Sequence, residues 1–516
     1  MSERQTLTKN IGTVGGLTLL SRLAGLVRDM VFAGLFGAGF AADAFNIAFT
    51  IPNVFRRFLA EGAMSIAFVP VFTEFKTTRS EEESRNLYNV TFSLFTLVLF
   101  LVTLVCILAS PLLVKLFAPG FGPAKFELAV YLNRLLFPYL FFIGLTALFM
   151  GILNTHRHFA APAAAPILLN TAIITAALSL SGVVEPPITA MAIGVLGGGL
   201  LEVLLQLPFL KRNKIRLRFK FDFKHSAVLK MLRLMGPALF GVAVYQVNIL
   251  VSRALASLLP EGSVTYIYYS DRFLELPLGV FAVAIATVAL PSLSEHASKD
   301  RPDKLKETLS FALRLTLFVC IPAMVWMAVC REPIISTLLQ RGQFSHLDTL
   351  ATAHVFLFAS LGIWAIACVR NLVPTFYSLK DTKTPVMIAL VAFILNAALG
   401  VTLMWPMGPA GLTLANSISA AVNCLLLVIY LRKKIGRLNL RKIWTSVWRV
   451  IIAAVCAGAA AYPFCQLDIW AAGSIGIKVL YLSLAGLAGG MVFLVVCATL
   501  RVEELLVILR RFKRST

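Results

Sequence analysis

Long apolar stretches separated by short polar breaks run along this chain from residue 11 to residue 499. A helix that crosses a bilayer needs about 20 apolar residues. At that length the pattern predicts fourteen spans, over 11–38, 43–73, 87–110, 126–153, 162–182, 188–210, 227–257, 265–295, 307–330, 349–375, 384–405, 408–431, 446–465 and 474–499. No soluble core needs so much apolar sequence, so the expected fold class is an all-α polytopic membrane protein.

The breaks alternate in charge. Those after even-numbered spans are basic, with Lys76, Arg79 and Arg85 in the second, Lys211 to Lys224 in the sixth, Lys299 to Lys306 in the eighth and Arg432 to Lys442 in the twelfth. Breaks after odd-numbered spans hold only Lys115, Lys125, Arg331 and Arg341. Cytoplasmic loops carry the excess of Lys and Arg, so both termini are expected in the cytoplasm and the span count is expected to be even. The polar start MSERQTLTKN is followed by no A-x-A-like site, so the first span is expected to be retained.

The pattern also repeats. FVPVFTE at 68–74 matches ALPSLSE at 289–295, Gly15 matches Gly236, Pro162 matches Pro385 and Arg212 matches Lys433, at offsets close to 221 residues. Six spans therefore repeat as six in the same orientation, a transporter plan with the substrate between the halves. The expected organisation is an N-lobe at 1–225 with a basic cytoplasmic loop, a C-lobe at 226–440, and two further spans with a basic tail at 441–516.

Composition narrows the partners. The 516 residues are 59% hydrophobic and 14% charged, with mean hydropathy +0.84 and net charge +22. Basic residues confined to short loops mark topology, so nucleic acid is not the expected partner. The eight cysteines lie in or beside apolar segments without metal-type spacing. They read as small hydrophobes, with neither a metal site nor a disulfide expected.

Charges inside the spans are the candidates for chemistry, because charge at membrane depth is costly and tends to be functional. Span 1 carries Arg22, Arg28 and Asp29, a mostly basic, partly self-neutralised strip, unless the span begins later and leaves these charges at the surface. Asp43 opens span 2, which continues through Pro52 to Arg56, Arg57 and Glu61. Proline frees a backbone carbonyl, which is tolerated beside a cavity. Arg57 and Glu61 are one turn apart and can pair, which would equally serve helix packing. Span 8 holds Asp271, Arg272, Glu275 and Pro277. Asp271 and Glu275 share a face, and Arg272 points elsewhere. Arginine suits bidentate phosphate recognition. A cationic, lopsided cavity then points to an anionic, phosphorylated substrate.

SRLAGLVRD, GAGFAADAF, IPNVFRRFLAEGA, YYSDRFLELPLG and FYSLKDTKTP together resemble the MurJ (MviN) lipid II flippases of the MOP exporter superfamily, over essentially the full length. The resemblance implies a flippase, not an enzyme, that moves undecaprenyl-diphosphate-linked disaccharide-pentapeptide from the cytoplasmic to the periplasmic leaflet by alternating access. It implies no cofactor. It places the family's essential arginines on Arg22, Arg28 and Arg272, its acid on Asp29, and its other functional charges on Asp43, Arg56, Arg57 and Glu61. It further implies an inner-membrane protein that acts as a monomer among membrane lipids and cell-wall synthesis or division proteins. The two added spans resemble those that form a groove for the lipid tail. Two features depart from the family. Thr50 stands where some members have lysine, and Asn248, Asn396 and Gly400 stand where a sodium site would need carboxylates. That argues against sodium and leaves membrane potential or protons as the drive.

The rival readings are an O-antigen type polysaccharide-lipid flippase and a MATE-like multidrug antiporter. The antiporter wants acidic cavity residues for cationic drugs. A membrane glycosyltransferase would need a carboxylate metal site, and no D-x-D pair stands in a loop. No G-x-x-x-x-G-K-[ST] loop for nucleotide is present.

Overall fold

The computed structural model describes residues 3–58, 68–156, 158–213 and 215–507. Its elements are helices, with no strand among the described residues. The chain forms two compact units, Met1–Glu261 and Gly262–Thr516. This division by packing falls one helix later than the division by repeated sequence at 225/226.

In the first unit α1 (Glu3–Phe36), α2 (Phe40–Arg56) and α3 (Val69–Thr78) are followed by α4 (Glu81–Leu108) and the short α5 (Ser110–Phe117). Then come α6 (Pro123–Leu136), α7 (Pro138–Thr155), α8 (Ala160–Leu180), α9 (Thr189–Arg212) and α10 (Ser226–Ser257). Local chemistry sets these ends. Ser80 caps α4 by accepting the Glu83 amide, and Glu81, Glu82 and Glu83 in the first turn meet the positive end of the helix dipole. Pro138 separates α6 from α7, because proline is accepted in a first turn and not in a helix interior.

Helices α8 and α9 cross closely. A Cβ on Gly194 would lie 2.7 Å from Ile173 Cα, and one on Gly198 would lie 2.9 Å from Leu169 Cα. With hydrocarbon outside, helices gain by close packing rather than by apolar burial, so small residues select this contact. Lys230 of α10 donates to both carboxylate oxygens of Glu74 on α3, at 2.8 and 2.6 Å, which ties α10 into this unit.

The second unit starts with α11 (Ser263–Pro277), a π-helical segment at Leu278–Ala282 and α12 (Val283–Ser298). It continues through α13 (Pro302–Val329), α14 (Arg331–Leu339), α15 (His346–Ser360), α16 (Ile363–Ser378), α17 (Lys383–Met407) and α18 (Pro409–Ile435). It ends with α19 (Leu440–Cys465), α20 (Ile469–Ala472) and α21 (Ile475–Thr499). Pro385 is the third residue of α17, and Pro162, its counterpart in the repeat, is the third residue of α8. Gly408 turns the chain between α17 and α18 with φ +58°, the left-handed region that glycine enters without strain.

Helices α19 and α21 belong to the core of this unit. Val450, Ala453, Ala454 and Cys497 share one buried cluster with Leu309, Leu313 and Leu317 of α13. Beyond α21, Glu504 is buried. It lies 2.9 Å from Arg314 of α13 and accepts from Ser446 of α19 at 2.8 Å, so three segments meet on one carboxylate.

Ten of these helical stretches are long and apolar enough to cross a membrane, and the α15–α16 pair, bent by 41°, brings the number to as many as eleven. Helices α1 and α10 carry several charges, and α2 has only 17 residues. Every expected span has helix within it.

Asp381, just before α17, accepts from the Thr384 amide at 3.0 Å, the Thr384 hydroxyl at 2.9 Å and Lys434 Nζ at 2.7 Å. It therefore fastens the start of α17 to the end of α18. The Lys434 hydrogen bond, helped by the Thr384 amide, pulls its carboxyl from 3.8 down to about 2. A depressed carboxylate contributes stability above its unfolded value and loses it as pH falls through the folded one. The difference in thermal midpoint between wild type and Asp381→Asn should be flat at neutral pH. It should shrink only as pH drops from 3.8 toward 2. Differential scanning fluorimetry across pH reads this directly.

Candidate functional site

The charges of the first unit fall into separate groups. On α1, Arg28 and Asp29 are both buried, 8% and 1% exposed. Arg28 Nη2 and Nε lie 2.7 and 3.1 Å from Asp29 Oδ1. The pair is neutral as a unit, which lowers the cost of carrying it inside an apolar helix. Arg22 is half-buried. It has no ion-pair partner among the described residues, while the neighbouring Ser21 carbonyl accepts from Asn170 of α8 at 3.3 Å. The strip therefore splits into a neutralised end at Arg28 and a charged end at Arg22.

Asp43 is in another place. It lies in the first turn of α2, buried at 2% exposure, where a carboxylate suits the helix dipole. Lys125, in the first turn of α6, meets it at 3.4 Å and Glu261 at 3.6 Å. The same ammonium sits 5.4 Å from the Phe40 ring centroid and 5.3 Å from that of Phe121, within cation–π range. One lysine thus joins the start of α2, the start of α6 and the end of the first unit. From Asp43 to Arg56 the helix rises about 20 Å, too far for both to grip one phosphate pair.

At the other end of α2, Arg56 Nε donates to Asn53 Oδ1 at 3.2 Å, and Arg57 is half-buried. Glu61, expected beside Arg57, lies outside the described residues. So do Arg157, Lys214 and the basic tail from Arg510. Between these ends is Pro52. It removes the hydrogen bond to the Ala48 carbonyl one turn earlier. The buried Asn133 of α6 supplies the missing donor, Nδ2 to Ala48 oxygen at 2.9 Å. The carbonyl expected to face a cavity is satisfied by a side chain.

Glu202 of α9 is 1% exposed, and Arg56 acts on it electrostatically. One turn on, the buried Gln206 donates to the Thr146 carbonyl of α7 at 3.3 Å. Glu202 is absent from the candidates above, although a lone acid in GGGLLEVLLQ is the signal for it. Lys125 reads as a loop charge in the sequence, and its place at the end of FGPAK, opening a helix, is the signal of its role.

In the second unit Arg272 meets Glu275 at 3.7 Å, three residues along α11. Asp271 and Glu275 stand four residues apart on α11, and Arg272 pairs with Glu275. Both partners are exposed enough, 38% and 57%, for the pair to contribute little to stability. Asp271 is exposed. Thr50 keeps its hydroxyl on the Asn46 carbonyl at 2.6 Å, and Asn396 is buried.

Apolar spanning helices, buried charges along α1, α2 and α9, and two compact helical units define an integral membrane transporter. The model of the lipid II flippase MurJ family matches residues 32–481, and the chain belongs to that family. It is 40% identical over 486 residues to the "Probable lipid II flippase MurJ" of Vibrio cholerae, covering 92% of each chain. It is 36% identical over 464 residues to the "Lipid II flippase MurJ" of Burkholderia cenocepacia, covering 88% of this chain and 89% of that one. Among solved structures it resembles a lipid II flippase MurJ in an inward closed conformation, with TM-score 0.76 and 28% identity, covering 93% of this chain and 98% of the other. An inward-facing MATE transporter of the MOP superfamily shares the fold at TM-score 0.69 and 14% identity, covering 83% and 98%.

Two substitutions check the network. Lys125→Ala removes the cation shared by Asp43 and Glu261 and should destabilise by roughly 3 kcal/mol, the cost of breaking a buried pair, with Lys125→Arg close to wild type. Asn133→Ala strips the Ala48 carbonyl of its donor and should cost about 1–3 kcal/mol. Unfolding in detergent, followed by thermal or denaturant midpoint, measures both.

Proposed function

We infer that this chain is a lipid II flippase that supplies peptidoglycan synthesis. The observation that carries this is similarity along nearly the whole length to relatives bearing that name, at up to 40% identity. No enzymatic step is involved: the lipid is moved, not altered.

The cationic residues supply the mechanism. Arg22, Arg28 and Arg272 take the diphosphate of the headgroup, while Asp29 holds the Arg28 guanidinium in place. Asp43, Arg56 and Arg57 support the surrounding helices, Glu61 joins them as a functional charge, and Asp271 and Glu275 flank Arg272. Arginines lower the cost of carrying a dianion through a low-dielectric region. Loop charge directs basic ends and both termini to the cytoplasm, which in a bacterial inner membrane makes the transport outward. An inside-negative potential favours moving negative charge outward, by about 2.3 kcal/mol per charge per 100 mV. The six-plus-six repeat at 1–225 and 226–440 supplies two lobes for alternating access, and 441–516 supplies an apolar surface for the polyprenyl tail. The chain works as a monomer beside cell-wall synthesis proteins.

The test is complementation of a strain depleted of its own flippase. Wild-type chain should restore growth and the exposure of lipid II to a periplasmic probe. Arg28→Ala should abolish both at normal membrane abundance. Normal growth of that variant would remove Arg28 from the mechanism, and failure of the wild type would remove the function.

A further inference from the structure

Two of the eight cysteines meet. Cys330 stands between α13 and α14, Cys465 is the last residue of α19, and their sulfurs are 3.3 Å apart. Both are buried, at 0% and 7% exposure. They are 135 residues apart in sequence, so tertiary packing alone brings them together.

The corner around them is held by contacts that do not involve sulfur. Ser336 Oγ donates to the Trp470 carbonyl at 2.7 Å, and Gln340 Nε2 donates to the Ala471 carbonyl at 2.6 Å. Trp470, 1% exposed, donates its indole N–H to the Phe464 carbonyl at 3.0 Å. Along the same helix pair, a Cβ on Gly458 would come within 2.8 Å of Val325 Cγ1, so α13 and α19 approach closely. The packing that places the two sulfurs together therefore does not depend on a bridge. A disulfide is about 2.05 Å long, so the sulfurs must close by little more than an ångström, within the reach of side-chain rotation.

Compartment decides whether such a pair stays reduced. Helix α13 begins beside Arg301, Lys304 and Lys306, and α19 begins beside Arg437, Arg441 and Lys442. Those basic ends belong in the cytoplasm, so the opposite ends, which carry Cys330 and Cys465, face the other side. Disulfides form and persist outside the cytoplasm and are rare within it. This step rests on the membrane orientation given under the proposed function.

We propose that Cys330 and Cys465 form a disulfide on the extracytoplasmic side of the membrane. It is installed by exchange with a protein disulfide oxidant of that compartment. One thiolate attacks the oxidant's disulfide to give a mixed disulfide. The second thiolate then displaces the oxidant's sulfur. Two thiol protons go to solvent, two electrons go to the oxidant, and the oxidant leaves as a dithiol. Both sulfurs are buried in the folded chain, so the oxidant reaches the first thiol as the α13–α19 corner assembles, and completion of the packing brings the second thiol up to the mixed disulfide. The bridge then pins the final pair of helices, α19 and α21, to the α13–α14 corner.

The test uses the full chain in its native membrane. Cells are quenched in acid, denatured, and alkylated with a polyethylene-glycol maleimide with and without prior reduction. The bridge predicts that six of the eight thiols label without reductant and all eight with it. Cys330→Ser and Cys465→Ser should each remove the reductant-dependent shift. Eight labels without reductant overturn the proposal, and so does a shift that survives in both variants. A second arm isolates orientation. Asp468→Cys, placed in the exposed loop of a Cys330→Ser/Cys465→Ser chain, should react with a membrane-impermeant maleimide in intact spheroplasts. Labelling there together with eight free thiols refutes the bridge and leaves the orientation standing. Labelling only after permeabilisation refutes the orientation and the bridge with it.

Discussion

A polar group placed among apolar helices must find its partner inside the protein, because hydrocarbon offers none. The details of this structure follow from that constraint. Pro52 breaks the backbone ladder of α2, and Asn133 repairs it from α6. Asp43 is carried at the start of the same helix, and Lys125 meets it from the neighbouring turn of α6. Glu504 is buried beside α13, and Arg314 and Ser446 converge on it. In each case the partner comes from a different helix, so satisfying the polar group also fixes how the helices pack.

The same constraint divides the charges by role. Arg28 lies against Asp29 and is neutral as a pair, so its cost is already offset before any ligand arrives. Arg22, six residues away, is half-buried and has no ion-pair partner among the described residues. The second kind keeps its full positive charge, and the first has its planar fork held in place by a fixed carboxylate. Asp43 belongs to neither kind. Its lysine partner and its distance from Arg56 along α2 make it a fastening of the helix ends.

The helices were legible in the sequence because runs of twenty apolar residues have few other uses, and the loop charges ordered them. Less legible was anything whose partner is distant or is not a side chain. Asn133 carries no signal by itself, since what it binds is a carbonyl that every residue has. Lys125 reads as one loop charge until Asp43 and Glu261 are brought beside it. Cys330 and Cys465 read as small hydrophobes, since no local spacing links residues 135 apart. Glu202 is legible as a lone acid in an apolar run, a weaker signal than the clustered arginines.

The π-helical segment at Leu278–Ala282, directly after Pro277, has a bearing on descent. Such a segment takes up about one residue more per turn than the α-helix around it. It therefore resets which side of α12 faces inward relative to α11. A single-residue insertion or deletion in this part of the gene is absorbed by tightening or loosening that one turn. Leu293 then stays in the core, and Arg272 keeps its place on α11. Most membrane helices have no such slack, and a change of one residue turns the whole following face toward lipid. Here the extra residue of that turn sets the face of α12 separately from the face of α11.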